Sequence, residues 1–313
     1  MKRIANKTTV LFIYYTNWKE ENVMKTPFNW VGNKYNYIDT INDVIKNKKY
    51  NKVVDMFMGS GNIILNLDCE ANEFIGNDKQ RLLPLLYKSI NKSSGMFDFL
   101  ELRNIITKWN NFSNKQDYYD FRKYWNIKYN RNQFDREFIY ETALLLKMCS
   151  NSMVRFNKQG EFNQGFRGLG NKKEFFGESM IELIVNGLNE LDSSLCDREY
   201  KFTNYDMIDV KYNRDDLLIL DPPYILRQDM YSQDFSVKHD DYLLDILKKK
   251  EVDFIYFNYI ERDNFTHTKL YELLNSDSEL RVIELSNKTK SGQGAKDVKE
   301  VREIMITNIK ENN

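Results

Sequence analysis

Lys52-Val53-Val54-Asp55-Met56-Phe57-Met58-Gly59-Ser60-Gly61 is the stretch on which the fold turns. Its first half is a short apolar run, as expected of a buried strand. Met58-Gly59-Ser60-Gly61 breaks that run, and Asn62 to Leu67 resumes a helical spacing. A second short strand, Glu73 to Gly76, ends in Asn77-Asp78. Strand, Gly-rich turn, helix, strand and terminal acid form the opening of a nucleotide-binding α/β domain.

The pattern extends in both directions. Upstream, Ile38, Ile41, Val44 and Ile45 recur at helical spacing after Lys34. Downstream, residues 81–199 read as mainly helical and aromatic, with Tyr118, Tyr119, Phe121, Tyr124, Trp125, Tyr129 and Phe134 close together. The α/β grammar resumes at Lys201 to Asp206 and continues through Leu217–Leu220, Asp253–Tyr259 and Glu303–Asn308. One sheet domain built from 24–80 and 200–313, with 81–199 inserted, fits this order better than two domains in tandem. Residues 1–23 carry no readable motif and stand as an N-terminal extension of unknown role; Met24 is an alternative start.

Composition narrows the class. Of 313 residues, 42% are hydrophobic and 29% charged, enough for a real core and against wholesale disorder. Lys+Arg and Asp+Glu both number 46, so no global charge announces a polyanionic partner. Cys69, Cys149 and Cys196 lack metal-type spacing and read as reduced thiols. With only two histidines, His239 and His267, His-based metal or triad catalysis is a poor fit, and no metal is expected. Val10 to Tyr15 falls far short of the roughly 20 residues of a membrane span and lacks a cleavage site, so a cytoplasmic location is expected.

The chemistry is most legible at Leu217-Leu218-Ile219-Leu220-Asp221-Pro222-Pro223-Tyr224. Four apolar residues deliver an acid, two prolines and an aromatic to the carboxyl end of a strand, where open α/β sheets bind ligands. Proline has no N–H and a fixed φ, so the chain leaves the sheet there with carbonyls available as acceptors. Asp221 and the Pro222 carbonyl make two acceptors side by side, and Tyr224 supplies a flat face. That set matches an exocyclic amino group on a planar base.

Four segments together resemble one family, the Dam-type (D12 class) DNA adenine-N6 methyltransferases. Phe57-Met58-Gly59-Ser60-Gly61 is similar to the family's F-x-G-x-G, and Asp221-Pro222-Pro223-Tyr224 to its D-P-P-Y. Trp30-Val31-Gly32-Asn33-Lys34 resembles its W-x-G-x-K, and Arg155-Phe156-Asn157-Lys158-Gln159-Gly160-Glu161-Phe162-Asn163 its R-x-N-x-x-G-x-F-N hairpin. The resemblance implies a Rossmann-like S-adenosylmethionine-dependent methyltransferase sheet with an inserted, mainly helical DNA-recognition domain. It implies a cofactor site at Trp30, Lys34, Asp55, Phe57, Gly59, Gly61, Asp78, Asp206 and Asp221. There the two glycines allow close backbone approach, Asp78 meets the ribose hydroxyls, and Lys34 lies near the methionyl carboxylate. Asp221, Pro222, Pro223 and Tyr224 are the implied catalytic set, acting on an adenine flipped out of duplex DNA.

DNA reading is expected in the insert. Between Leu100 and Met180 there are fourteen Lys/Arg against nine Asp/Glu, a local basic excess suited to phosphate. Arg155 matches the family arginine that reads a guanine, with Asn157 and Lys158 beside it. A second basic stretch, Asn287 to Lys296, reads as a mobile phosphate-binding loop carrying Lys288, Lys290, Gly292, Gly294 and Lys296. Asn29 departs from the best-known members, which carry a lysine there that reads the first guanine of GATC. GATC remains the expected site, with its first base open. The alternatives are an RNA-adenine or cytosine-N4 amino methyltransferase, or a non-catalytic DNA-binding relic. A cognate restriction endonuclease is a further possible partner, in a restriction-modification system.

Overall fold

In a computed structural model of the chain, the apolar run at Val53 becomes strand β1, Lys49–Asp55. The structure describes residues 23–24, 26–28, 32, 34–91, 95–150, 154–223, 235–262, 265–290 and 298–310. At 260–262, 265–266, 286–290 and 298–302 it describes the backbone alone. Residues 1–22, Asn29, Trp30 and Tyr224 lie outside the described residues, as do Gly292, Gly294 and Lys296.

Seven further strands join β1: β2 (Glu70–Asn77), β3 (Tyr200–Thr203), β4 (Leu217–Leu220), β5 (Asp253–Arg262), β6 (Phe265–Thr266), β7 (Arg281–Lys290) and β8 (Val298–Thr307). The sheet order is β3-β2-β1-β4-β5-β8-β7, with the short β6 pairing β5. From β3 to β5 all neighbours are parallel; β8 is antiparallel to both β5 and β7. The helices are α1 (Ile38–Ile45), α2 (Leu82–Ile90), α3 (Phe99–Lys108), α4 (Lys115–Asn130), α5 (Arg136–Met148), α6 (Glu178–Cys196), α7 (Val237–Lys249) and α8 (Thr268–Ser276).

Why the central strands read as apolar runs follows from their burial on both faces. Every residue of β4 is buried. Leu217 and Ile219 join Val53, Phe74 and Ile255 on one face; Leu218 and Leu220 join Val54, Phe254 and residues of α7 on the other. The first face continues without a break into α3–α6 of the insert. Helix α2 packs on β3, where the rings of Tyr87 and Phe202 lie 5.2 Å apart.

Three local expectations change. Residues 62–66 form successive turns, not a helix. Asn66 draws that segment toward Met24: its side chain accepts from the Met24 N–H (2.7 Å) and donates to the carbonyls of Met24 and Asn62. Strand β2 begins at Glu70, earlier than the apolar signal, because its first half is polar and is held by backbone pairing with Lys49 and Tyr50. Asn287 to Lys290 extend β7 as a strand paired with Val301 to Val298, where the basic, Gly-rich composition suggested a loop. The antiparallel ladder supplies backbone bonds that composition does not reveal.

Candidate active site

The chain order places a switch point in the middle of the sheet. From β1 it moves outward through β2 and β3; β4 then returns to the other side of β1 and the order reverses. Such a reversal opens a crevice beyond the carboxyl ends of the strands. Asp55 ends β1 there, and Asp221 follows β4 directly, with Asp55 in register with Ile219. The two acids that the sequence singles out on separate strands thus meet at one crevice.

The Gly-rich turn beside them is locked by close contacts. Gly59 and Gly61 both have positive φ, +49° and +76°. A Cβ on Gly61 would stand 3.1 Å from the Tyr87 ring, whose hydroxyl donates to the Ser60 carbonyl. Asp78 ties the turn to the end of β2. It accepts from the Gly59 N–H (2.9 Å) and the Gln80 N–H (2.8 Å). Burial pushes its carboxyl up to about 6, against the lowering effect of those two bonds. Asp55 is 1% exposed; Oδ1 accepts from the Phe57 N–H at 3.2 Å, while Oδ2 is buried with no hydrogen-bond partner among the described residues. Burial raises its pKa well above the usual carboxylate range, and the nearby Asp221 and Asp78 add to the effect.

Lys34 lies at the centre of the site and is 3% exposed. Its ammonium donates to the Gly32 carbonyl (3.0 Å) and to Asp221 Oδ2 (2.7 Å), and pairs with Glu303 Oε1 at 3.3 Å. An ammonium has three protons to donate, and these acceptors draw on them. Burial opposes the charge, but Asp221 and Glu303 outweigh it and hold the lysine pKa above its ordinary value. The resemblance implies a lysine near the cofactor carboxylate; here the ammonium bridges two carboxylates of the chain itself.

Asp206 follows β3 on the same edge. It pairs with Lys79 (2.5 Å) and with His239 Nε2 (3.3 Å), and it caps a short turn through the Ile208 N–H. Burial alone would raise its pKa; these partners reverse that and hold it at about 2. His239 stacks on Phe235, which in turn meets Phe57 edge-on at 6.2 Å. Asn77, fully buried, donates to the carbonyls of Met56 and Tyr205 and accepts from Thr203 and the Tyr205 N–H. It braces the loops after β1 and β3 against each other.

The segment around Arg155 is a hairpin, as its sequence suggests. Asn157 and Glu161 pair through the backbone, and the Asn163 N–H bonds to the Arg155 carbonyl. Gly160, at φ +74°, turns the tip with nothing within 4 Å of its missing Cβ. The Asn157 side chain closes this turn, accepting from the Gln159 and Glu161 N–H groups and donating to the Glu161 carboxylate. Arg155 and Lys158 are exposed. Beneath them, Asn126 of α4 exchanges two bonds with the Phe162 backbone, and Phe162 packs edge-on to Trp125. Several other basic residues of the insert are neutralised internally: Arg103 by Glu178, Lys108 by Glu137, Arg136 by Glu101, and Lys128 by Asp135, Glu137 and Glu141.

Trp30 and Tyr224, and the side chains of Lys288 and Lys290, are outside what the structure describes. Sequence reading missed Glu303, Asn77, Lys79 and His239. Glu303 left a trace as an acid heading the apolar run Ile304-Met305-Ile306, and Asn77 as the residue before the strand-ending Asp78.

Comparison with known proteins agrees with this geometry. Residues 30–304 match the D12 class N6 adenine-specific DNA methyltransferase family. The chain is 24% identical over 221 residues to a DNA N-6-adenine-methyltransferase of Escherichia phage P1, covering 61% of this chain and 27% of that protein. It is 25% identical over 206 residues to the type II methyltransferase M.MjaIII of Methanocaldococcus jannaschii, covering 62% of this chain and 67% of that one. The mixed sheet with its Gly turn and strand-end acids is consistent with an S-adenosylmethionine-dependent methyltransferase fold, and the chain belongs to the D12 class N6 adenine-specific DNA methyltransferase family.

Proposed function

We propose that this chain transfers a methyl group from S-adenosylmethionine to N6 of an adenine flipped out of duplex DNA, with GATC as the expected site. The observation that carries the reading is Asp221, set by β4 at the switch point and followed by two prolines. The cofactor fits the residues beside it. Asp55 Oδ2 is a buried acceptor with no hydrogen-bond partner among the described residues, and beside it the turn takes positive φ at Gly59 and Gly61, which carry no Cβ. Asp55, Phe57, Gly59, Gly61, Asp78 and Asp206 would hold it, together with Lys34 and Trp30. When bound, it supplies a methyl group on a sulfonium, already a strong electrophile.

The chain's own residues then have a limited task. An adenine N6 lone pair is delocalised into the ring and attacks poorly. Asp221 and the Pro222 carbonyl accept the two N6–H bonds and favour a pyramidal nitrogen whose lone pair is directed at the methyl carbon. Tyr224 stacks on the extruded base, since an adenine within a duplex cannot reach such a site. We assign chemistry to 24–80 and 200–313 and DNA reading to 81–199, where Arg155 on the hairpin arm and Lys158 at its tip are exposed; Lys288 and Lys290 add phosphate contacts. A cytoplasmic location and pairing with a restriction endonuclease accompany this reading; no described helix is long and apolar enough to cross a membrane.

The test is methylation of random-sequence DNA followed by sequencing for modified bases. N6-methyladenine within one short motif is expected. N4-methylcytosine, methylation of RNA alone, or cofactor binding without transfer would each replace this reading.

A further inference from the structure

We propose that Glu303 is a positioning residue for methyl transfer: it anchors Lys34, and the Lys34 ammonium in turn fixes the carboxylate of Asp221. The inference rests on the reading that Asp221 accepts from the target amino group.

Asp221 stands beyond the ladder that orders its strand. It lies one residue beyond the last ladder position of β4, and the next two residues are prolines, which cannot donate to a ladder. The ladder therefore does not hold its carboxylate in one plane. Lys34 supplies that hold at 2.7 Å, through Oδ2. A lysine is itself a poor anchor, being a point charge on four rotatable carbons. Its position is set here by the other groups around Nζ: the Gly32 carbonyl at 3.0 Å, Glu303 at 3.3 Å and the Phe257 ring at 5.4 Å.

Of these, Glu303 is the charged and rigid one. It is 4% exposed and stands in β8 in register with Tyr259 of β5, between two antiparallel neighbours. That register brings it to the same carboxyl edge as Asp221. It also affects the acid's strength as an acceptor. An ammonium facing Asp221 alone would weaken that carboxylate as an acceptor; the negative potential of Glu303 offsets part of that effect. Asp55, Tyr37, Tyr256 and Tyr259 are ionisable groups that also face these residues.

The experiment compares Glu303→Gln, Lys34→Met, their double variant and Asp221→Ala in the full chain. Turnover, KM for DNA, cofactor affinity by calorimetry and thermal midpoint are measured for each. Glu303→Gln is expected to lower kcat by about ten- to hundredfold, the scale of a misplaced reacting group, with cofactor and DNA affinities within about twofold. The double variant should turn over no more slowly than Lys34→Met, because both act on one carboxylate. A Glu303→Gln enzyme within about twofold of wild-type turnover, or losses that multiply in the double variant, would overturn the proposal.

A fall in thermal midpoint calls for Lys34→Met with Glu303→Leu, which replaces the buried charges by apolar groups. If that protein is stable yet slow, positioning stands; if recovered stability restores turnover, the pair is structural and the proposal fails. Asp221→Ala separates the two readings. Should it stay active, the adenine assignment fails; should it be inactive while Glu303→Gln is normal, only the present inference fails.

Discussion

The carboxyl edge of the sheet and the hairpin of the insert are held in place by opposite means. At the edge, Asp55, Asp78, Asp221, Glu303 and Lys34 are mostly buried; Asp221 and Glu303 share Lys34, and Asp221, Asp78 and Lys34 act on Asp55, so a change in one alters its neighbours' surroundings. In the hairpin, the anchoring is beneath, in Asn126, Trp125 and Phe162, while Arg155 on its arm and Lys158 at its tip stand exposed. Chemistry requires groups fixed relative to each other, and buried charge networks provide that. Reading requires groups that can meet a partner, and an exposed tip on a rigid base provides that. Changes at the edge should therefore be severe and coupled, and changes at the tip mild and local.

The largest expected effect is that of Asp221→Ala. Transfer should nearly vanish while S-adenosylmethionine binding remains measurable. More than about a tenth of wild-type turnover, under the ~1.4 kcal/mol expected of a charged hydrogen bond, would remove Asp221 from its role.

Two glycines give the comparison its cleanest form. Gly61 and Gly160 have nearly the same φ, +76° and +74°, but different surroundings. Alanine at either position accepts left-handed strain of about 1–2 kcal/mol. At Gly61 the new methyl also meets Tyr87 at 3.1 Å, adding about 1–3 kcal/mol of overpacking. Denaturant titration should find Gly61→Ala clearly less stable than Gly160→Ala. Equal losses would mean that the turn yields as easily as the hairpin tip.

A smaller effect is expected from pH. Asp78 titrates at about 6, raised by burial. Ribose hydroxyls donate best to its ionised form, so cofactor affinity should rise with pH through about 6 and weaken up to about tenfold per unit below it. Asp78→Asn should flatten this dependence. A pH profile unchanged by the substitution would confine Asp78 to bracing Gly59 and Gln80.

What the sequence shows and hides follows the same division. Strand β4 was readable because burial on both faces demands an unbroken apolar run and because Pro222-Pro223 marks its end. Gly59 and Gly61 were readable because backbone geometry restricts residue type. The hairpin announced itself through Asn157 and Gly160, whose local bonds lie within a few residues. Glu303 was hidden because its meaning depends on Lys34 and on Asp221, which itself lies 187 positions from that lysine. Asn66 was hidden likewise: its bonds to Met24 convert a helical spacing into turns. Asn287 to Lys290 were misread because basic residues on an edge strand look like a loop until the partner strand is in place.

The division of labour itself is tested most directly by the methylation profile of Arg155→Ala on a random-sequence duplex library, set beside that of the wild type at two salt concentrations. The account predicts that the variant still makes N6-methyladenine, with discrimination relaxed by about 1–3 kcal/mol at one guanine-bearing position and preserved at the others. A uniform loss at every sequence, larger at low salt than at high salt, would make Arg155 a phosphate contact and contradict the assignment of reading to the hairpin.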